Sequence, residues 1–226
     1  MPPPCPAPPH GNDNAMTGTE PPPVVHVVDD DAAVRDSLAF LLQTAGHAVR
    51  THVSAEALLA AVPDLAPGCV LTDVRMPGLD GLGLQRRLAD LGLPLPVVVM
   101  TGHADVPLAV QAMKAGAVDF LQKPFSEDHL LAVVRQALAT QERARATEMA
   151  AAQAAARLAT LTPREREVLD ELVAGHPNKV IAQTLGASPR TIEVHRARVM
   201  EKLGVHSLPD VVRLVLTAAA PASAAG

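Results

Sequence analysis

Three consecutive aspartates, Asp29, Asp30 and Asp31, follow the apolar run "VVHVV" (24–28), and Asp73 closes the apolar run "CVLT" (69–72). Thr101 comes directly after "PVVVM" (96–100), and Lys123 shortly after "VDFL" (118–121). An unpaired carboxylate buried at a strand end costs roughly several kcal/mol, so Asp73 belongs at a strand mouth with partners. Carboxylates held close together repel one another and invite a hard cation with oxygen ligands, with Mg²⁺ the usual choice where phosphate is handled. Asp73 can then attack a phosphoryl group and form an acyl phosphate. The cation, the Lys123 ammonium and the Thr101 hydroxyl would offset charge on the transferred oxygens. Singly, each feature is ordinary: a strand-end aspartate usually caps a helix, and a lysine before a proline is usually a solvated charge. It is their shared placement at the ends of four strands that points to chemistry.

Those side chains need a scaffold, and the hydrophobic pattern supplies one. Strands are predicted over 24–28, 48–52, 69–72, 96–100 and 118–121, with amphipathic helices over about 32–45, 55–61, 81–91, 107–115 and 127–140. The runs at 24–28 and 96–100 are nearly all valine, as expected of parallel strands covered on both faces. Five β/α repeats predict an α/β domain over 24–140, a doubly wound five-stranded parallel sheet of flavodoxin-like order 2-1-3-4-5. In that order the ends of strands 1, 3, 4 and 5 converge on one crevice. Asp31 reads as a residue of the helix N-terminus, where its charge favours the dipole.

Past residue 140 the sequence changes. "TQERARATEMAAAQAAARLAT" is alanine-rich and strand-free, so 141–160 reads as a helical linker or a helical extension of what precedes it. Over 161–218 helix signals come in close order. "TPRE" (162–165) is a capping box with proline at the first helical position. "NKVIAQTLG" (178–186) and "SPRTIEVHRARVMEKLG" (188–204) each close on glycine, and "SLPD" (207–210) opens a last helix. A small all-α domain is expected.

Composition narrows the function classes. The net charge of −5 hides a split: residues 24–140 carry eight Lys and Arg against thirteen Asp and Glu, whereas 160–217 carry eight against seven. The chain has no Trp or Tyr and three Phe, so base stacking on aromatic platforms is a poor reading. Cys5 and Cys69 form neither a disulfide framework nor a CxxC pair, which fits a reducing cytoplasm. No apolar run approaches the ~20 residues of a membrane span. The proline-rich stretch 1–23 lacks the basic and apolar regions of a signal peptide and reads as a disordered tail, as does 219–226.

"VVHVVDDD", "LTDVRMPGLDG", "VMTGHADV" and "VDFLQKPF" resemble the signature segments of response-regulator receiver domains. That resemblance implies Asp29 and Asp30 as a metal-binding acidic pair, Asp73 as phosphoacceptor and metal ligand, and the Arg75 backbone carbonyl as a further ligand. It implies Thr101 as a switch hydroxyl, Lys123 as the site lysine, Phe120 as a switch aromatic, and a cis Lys123–Pro124 bond. "LTPREREVL" and "NKVIAQTLGASPRTIEVHRARVMEKL" resemble the LuxR-type helix-turn-helix, and nearly everything from Val24 to Leu216 except the alanine-rich linker is most similar to FixJ-like members of the FixJ/NarL response regulators. In the helix from Pro189, Ile192, His195, Val199 and Leu203 form a core stripe, with His195 expected to be satisfied and partly buried. Thr191, Glu193, Val194 and Arg198 are placed near bases or the adjacent backbone, and Lys179, Arg190, Arg196 and Lys202 on phosphates.

The implied function is a two-component response regulator, phosphorylated on Asp73 by a sensor histidine kinase with Mg²⁺. It then dimerises through a face bearing Val110, Lys114, Asp119 and Phe120, and binds promoter DNA to regulate transcription, with RNA polymerase as a further partner. The FixJ likeness implies nitrogen-fixation or low-oxygen genes. The chain is expected to be no enzyme beyond self-catalysed phosphoryl transfer to and hydrolysis from Asp73. The alternative is a DNA-binding transcription factor indifferent to phosphorylation. A phosphohydrolase of the haloacid-dehalogenase kind needs a second acid two residues after the nucleophile, where Arg75 stands.

Overall fold

The computed structural model describes residues 22–93, 95–102 and 106–220. Apart from Pro22, Pro23, Ala219 and Ala220, the two expected tails lie outside the described residues. Five parallel strands form one sheet of order β2-β1-β3-β4-β5. They are β1 (Val24–Val28), β2 (Ala48–His52), β3 (Gly68–Asp73), β4 (Val97–Thr101) and β5 (Asp119–Gln122). Between them run α1 (Ala32–Thr44), α2 (Ala55–Ala60), α3 (Gly81–Asp90) and α4 (Val106–Lys114), with a short 3₁₀ turn at Val62–Asp64 that the hydrophobic pattern does not signal.

The valine runs are buried because both faces of the sheet are covered. On one face Val25, Val27, Leu71, Met100 and Leu121 pack against Leu38 and Leu42 of α1 and against Leu130, Val133 and Val134 of the following helix. On the other, Val28, Val70, Val97 and Val99 meet Ala55 and Leu58 of α2, Leu82, Leu84 and Leu88 of α3, and Ala112 of α4. Each such side chain, fully buried, contributes about 1.5–3 kcal/mol. Cys69 lies in this core, and burial pushes its thiol up to about 12, which leaves it unreactive.

The helix after β5 is longer than its predicted span. α5 runs unbroken from Glu127 to Ala159, 33 residues, so the alanine-rich stretch is a helical extension of the sheet domain's last helix. No glycine or proline interrupts it, and alanine is the best helix former. Ser126 caps its start by accepting from the His129 N–H. Its far end buries Leu158 in a cluster with Leu169, Val199, Leu203 and Val211.

That cluster belongs to the helical domain of α6 (Pro163–Val173), α7 (Asn178–Thr184), α8 (Pro189–Leu203) and α9 (Leu208–Ala219). The predicted capping box is present: the Thr162 hydroxyl accepts from the Glu165 N–H, and Glu165 accepts from the Thr162 N–H at 2.8 Å. Lys202 of α8 reaches the same buried carboxylate at 2.6 Å and the Thr160 carbonyl at 3.4 Å. One lysine thus ties α8 to the start of α6 and to the end of α5. The Lys202 ammonium and the Thr162 N–H hold the Glu165 carboxyl well below the usual range, at about 2. A carboxylate with a depressed folded pKa stabilises the fold above its unfolded pKa near 4.5, and loses that contribution as pH falls toward 2. Glu165→Gln is therefore expected to lower the melting temperature at pH 7, with the gap to wild type shrinking between pH 4.5 and 2.5. Thermal denaturation by circular dichroism at both ends checks this, and a gap constant with pH would refute it.

Candidate functional site

The sheet register builds the site. Val28 pairs with Thr72 across β1 and β3, so the next residues, Asp29 and Asp73, stand side by side at the carboxyl ends of neighbouring strands. Asp29 is buried, and its Oδ1 accepts the Asp31 N–H at 2.9 Å. Its backbone carbonyl accepts Arg35 Nη1 at 2.7 Å. Asp73 is partly buried, and its Oδ2 accepts the Arg75 N–H at 2.8 Å. Lys123, just past β5, bridges the two: its ammonium donates to Asp73 Oδ1 at 2.6 Å and to Asp29 Oδ2 at 3.0 Å. Burial pulls the Lys123 ammonium down, but the hydrogen bonds to Asp73 and Asp29 outweigh that and hold its pKa above the ordinary lysine range.

The surrounding loops follow from local chemistry. Asp31 caps α1 by accepting the Ala33 N–H at 2.8 Å, which is the dipole-favouring position expected of it. Asp30 is exposed beside it. Gly81, the first residue of α3, lies so close to Asp73 that a Cβ there would sit 2.3 Å from the Asp73 carbonyl oxygen, so only glycine lets α3 start against the strand end. The Lys123 N–H donates to the Thr101 carbonyl at 2.7 Å, and the Lys123–Pro124 bond is cis. Thr101 is buried, and its hydroxyl donates to the Gly102 carbonyl at 3.1 Å, not to Asp73.

The donor set suits a hard cation. Asp29 and Asp73 are oxygen ligands only, drawn together by the lysine between them, and Asp30 is exposed next in the chain to Asp29. As arranged, Lys123 fills the gap, and among the described residues no three acidic, His or Cys side chains form a ready-made cage. The chemistry fits Mg²⁺, with the lysine ammonium holding the carboxylates together.

In the helical domain the predicted division of α8 holds. Ile192, Val199 and Leu203 are fully buried, whereas Arg190, Thr191, Glu193, Val194, Ala197 and Arg198 are exposed, Val194 by 46%. Lys179 of α7 is exposed as well. Two of the cations placed on phosphates are otherwise engaged: Arg196 donates to Asn178 Oδ1 at 3.2 Å, and Lys202 is held by Glu165. His195 is partly buried as expected but is not fully satisfied, since its Nδ1 is buried with no hydrogen-bond partner among the described residues. On the α4–β5 face, Val110, Lys114 and Phe120 are exposed and Asp119 is half-buried. Met113, exposed by 45% and three residues from Val110, belongs to the same apolar patch, and sequence reading missed it although the spacing was visible.

Residues 25–135 match the family model for the response regulator receiver domain, and residues 159–215 that for bacterial regulatory proteins of the luxR family. The transcriptional regulatory protein FixJ of Bradyrhizobium diazoefficiens is 53% identical over 86% of this chain and 95% of its own. The chain belongs to the FixJ-type response regulators. The solved structure of the response regulator StyR superposes with a TM-score of 0.77 at 41% identity, over 87% of this chain and 99% of that one. Full-length FixJ from B. japonicum, at 52% identity over 87% and 97%, superposes at 0.55.

The regulator is thus a two-component transcriptional regulator and not a classical enzyme; a receiver domain implies a sensor kinase as partner, and a luxR-type domain implies DNA. Among the described residues no helix is long and apolar enough to cross a membrane. The bridge at its centre carries a stability prediction. Lys123→Met leaves two adjacent carboxylates without their cation and is expected to cost about 1–3 kcal/mol at pH 7, allowing for partial solvent access. Because the folded lysine pKa is raised, this contribution is intact below about 10.5 and fades as pH climbs past it. Urea unfolding of both proteins across that range checks the magnitude and the sign.

Proposed function

We propose that Asp73 is the phosphoacceptor of this regulator, charged by a sensor histidine kinase in the cytoplasm, and that phosphorylation drives dimerisation and promoter binding. The observation that carries the reading is the Lys123 ammonium bridging Asp29 and Asp73 at the mouth of β1 and β3. Asp73 offers a carboxylate oxygen to the phosphorus, and the partner histidine is the leaving group. Asp29, Asp30, Asp73 and the Arg75 carbonyl would hold Mg²⁺, which, when bound, neutralises charge on the phosphoryl oxygens. Lys123 stays at Asp73 and pairs with a phosphoryl oxygen. Thr101 exchanges its bond to the Gly102 carbonyl for one to the phosphoryl group, and Phe120 moves with it. The same pocket admits the water that returns Asp73 to its free state.

Dimerisation uses the α4–β5 face, with Val110 and Phe120 at its apolar centre and Lys114 and Asp119 as the charged pair across a two-fold axis. Two recognition helices then meet two half-sites. Thr191, Glu193, Val194 and Arg198 face bases and the adjacent backbone, while Lys179 and Arg190 hold phosphates. Arg196 and Lys202 shape the domain from within. RNA polymerase is the downstream partner, and nitrogen-fixation or low-oxygen promoters are the first operators to try, on the FixJ likeness.

Intact mass and light scattering on the same samples test the reading, with wild type and Asp73→Asn each incubated with Mg²⁺ and acetyl phosphate. Wild type is expected to gain one phosphoryl group and dimerise, and the variant to do neither. A mass gain without dimerisation would displace the proposed face, and no mass gain in Mg²⁺-loaded wild type would leave a DNA-binding protein without phosphate input. On DNA, Arg198→Ala is expected to weaken binding and to reduce the salt slope by about 1 if it touches a phosphate, or to relax base preference at about 1–3 kcal/mol if it reads a base. Fluorescence anisotropy across a salt series separates the two.

A further inference from the structure

Glu56 projects from the first turn of α2 toward the loop that leaves Asp73, and nothing in the phosphorylation chemistry calls for it. Its Oε1 accepts the Leu79 N–H at 2.8 Å. Gly78, the residue before, takes a left-handed φ of +78°, and a Cβ built there would lie 2.6 Å from the same oxygen. The loop is therefore shaped so that a bare backbone can meet the Glu56 carboxylate. A second anchor lies on its inner side: Val74 and Met76 are buried in the cluster that contains Ala55 and Leu58 of the same short helix. Helix α2 thus meets this segment through one polar bond, from the Leu79 N–H to Glu56, and shares with Val74 and Met76 the apolar cluster beneath it. The segment in question carries the Arg75 N–H that holds Asp73 Oδ2. The Leu79 N–H, first among the causes, keeps the Glu56 carboxyl below the usual range, so at neutral pH the acceptor is always the charged form.

We infer that Glu56 is a positioning residue for the phosphoacceptor loop, acting through Leu79 to fix the backbone that orients Asp73 and presents the Arg75 carbonyl. The inference rests on Asp73 being the phosphoacceptor. Losing the acceptor frees the loop and loosens the ligand set without touching Asp29, Asp73 or Lys123. Alanine is a better helix former than glutamate, so Glu56→Ala does not weaken α2 by propensity. Glu56→Gln keeps an oxygen in the same place and acts as the rescue.

Two measurements on the full-length protein decide it. Hydrogen exchange, without phosphate donor or divalent cation, follows the peptide containing Leu79. Phosphorylation by acetyl phosphate is then titrated with Mg²⁺. In Glu56→Ala, Leu79 exchange is expected to rise about threefold to tenfold, the size of one lost hydrogen bond. The half-saturating Mg²⁺ concentration should rise by a similar factor, with a smaller change in the rate at saturating Mg²⁺, and Glu56→Gln should restore both. Unchanged exchange, or faster exchange with an unmoved Mg²⁺ requirement, would overturn the inference. If wild type takes no phosphoryl group, the reading of Asp73 fails separately. Direct Mg²⁺ titration by calorimetry then takes the place of the kinetic arm, and equal affinities in wild type and Glu56→Ala would overturn the inference there.

Discussion

Two carboxylates on adjacent parallel strands repel, and here the strand register leaves them no way to move apart. Val28 faces Thr72, so Asp29 faces Asp73, one residue beyond the pairing. A cation must therefore reach the gap from a strand that touches neither, and Lys123 does so from beyond β5. For that to happen β5 must sit in register on β4, and the Lys123 N–H extends that pairing past Gln122 to the Thr101 carbonyl. The edge strand and the acidic pair thus constrain each other: the sheet brings the lysine in, and the lysine makes a sheet with two acids at its mouth tolerable. Anything that adds negative charge to Asp73 alters what Lys123 must balance, and so acts on β5.

From β5 the chain runs directly to the output domain. Only Lys123, Pro124, Phe125 and Ser126 separate Gln122 at the strand end from Glu127 at the start of α5. α5 is unbroken to Ala159, a rise of about 50 Å at 1.5 Å per residue. At its far end Leu158 packs among Leu169, Val199 and Leu203, and Lys202 donates to the Thr160 carbonyl while held by Glu165. The residue that balances the acidic pair and the helical domain are therefore joined by three residues and one unbroken helix. StyR and full-length FixJ cover the same share of this chain, yet FixJ, the more similar in sequence, fits less well in space. A difference of that kind arises from the disposition of well-formed domains more readily than from the domains themselves.

Much of this was legible in the sequence because the signals were one-dimensional. A valine run buried on both faces has few other readings, and β1 and β2 begin and end where the pattern placed them, the other strands within one residue. The four site positions converged because strand order follows from crossover rules. The helix ends were equally plain, with Thr162 and Glu165 in a capping box and Gly204 left-handed at the end of α8. What escaped were contacts between a side chain and a group distant in sequence that the pattern does not mark. Glu56 in the first turn of α2 drew no reading at all, because nothing at position 79 marks its N–H as the partner. Lys202 looked like a surface cation for the same reason: its partner is 37 residues away in sequence and lies in another helix. The continuity of α5 was left open between an extension and a linker, because the change of composition at residue 140 reads the same in either case.

The engaged cations bear on how the regulator holds DNA. Of the residues placed on phosphates, Arg196 is turned to Asn178 and Lys202 to Glu165, which leaves Lys179 and Arg190, with Arg198 on the same exposed surface. Each phosphate contact contributes about 0.9 to the slope of affinity against salt, so on the proposed contacts one domain would have a slope of about 2, or about 3 with Arg198 on the backbone, and a correspondingly weak, salt-sensitive hold. The acidic receiver half adds no attraction of its own. Glu193 on the same face opposes phosphate outright unless it accepts from a base amino group. A single copy is thus poorly equipped for stable binding. Two copies with their recognition helices fixed one duplex turn apart would double the contacts, and the second would bind at the high effective concentration set by the first. The few free cations on α7 and α8 would themselves be a physical reason for the proposed control of pairing by the receiver domain.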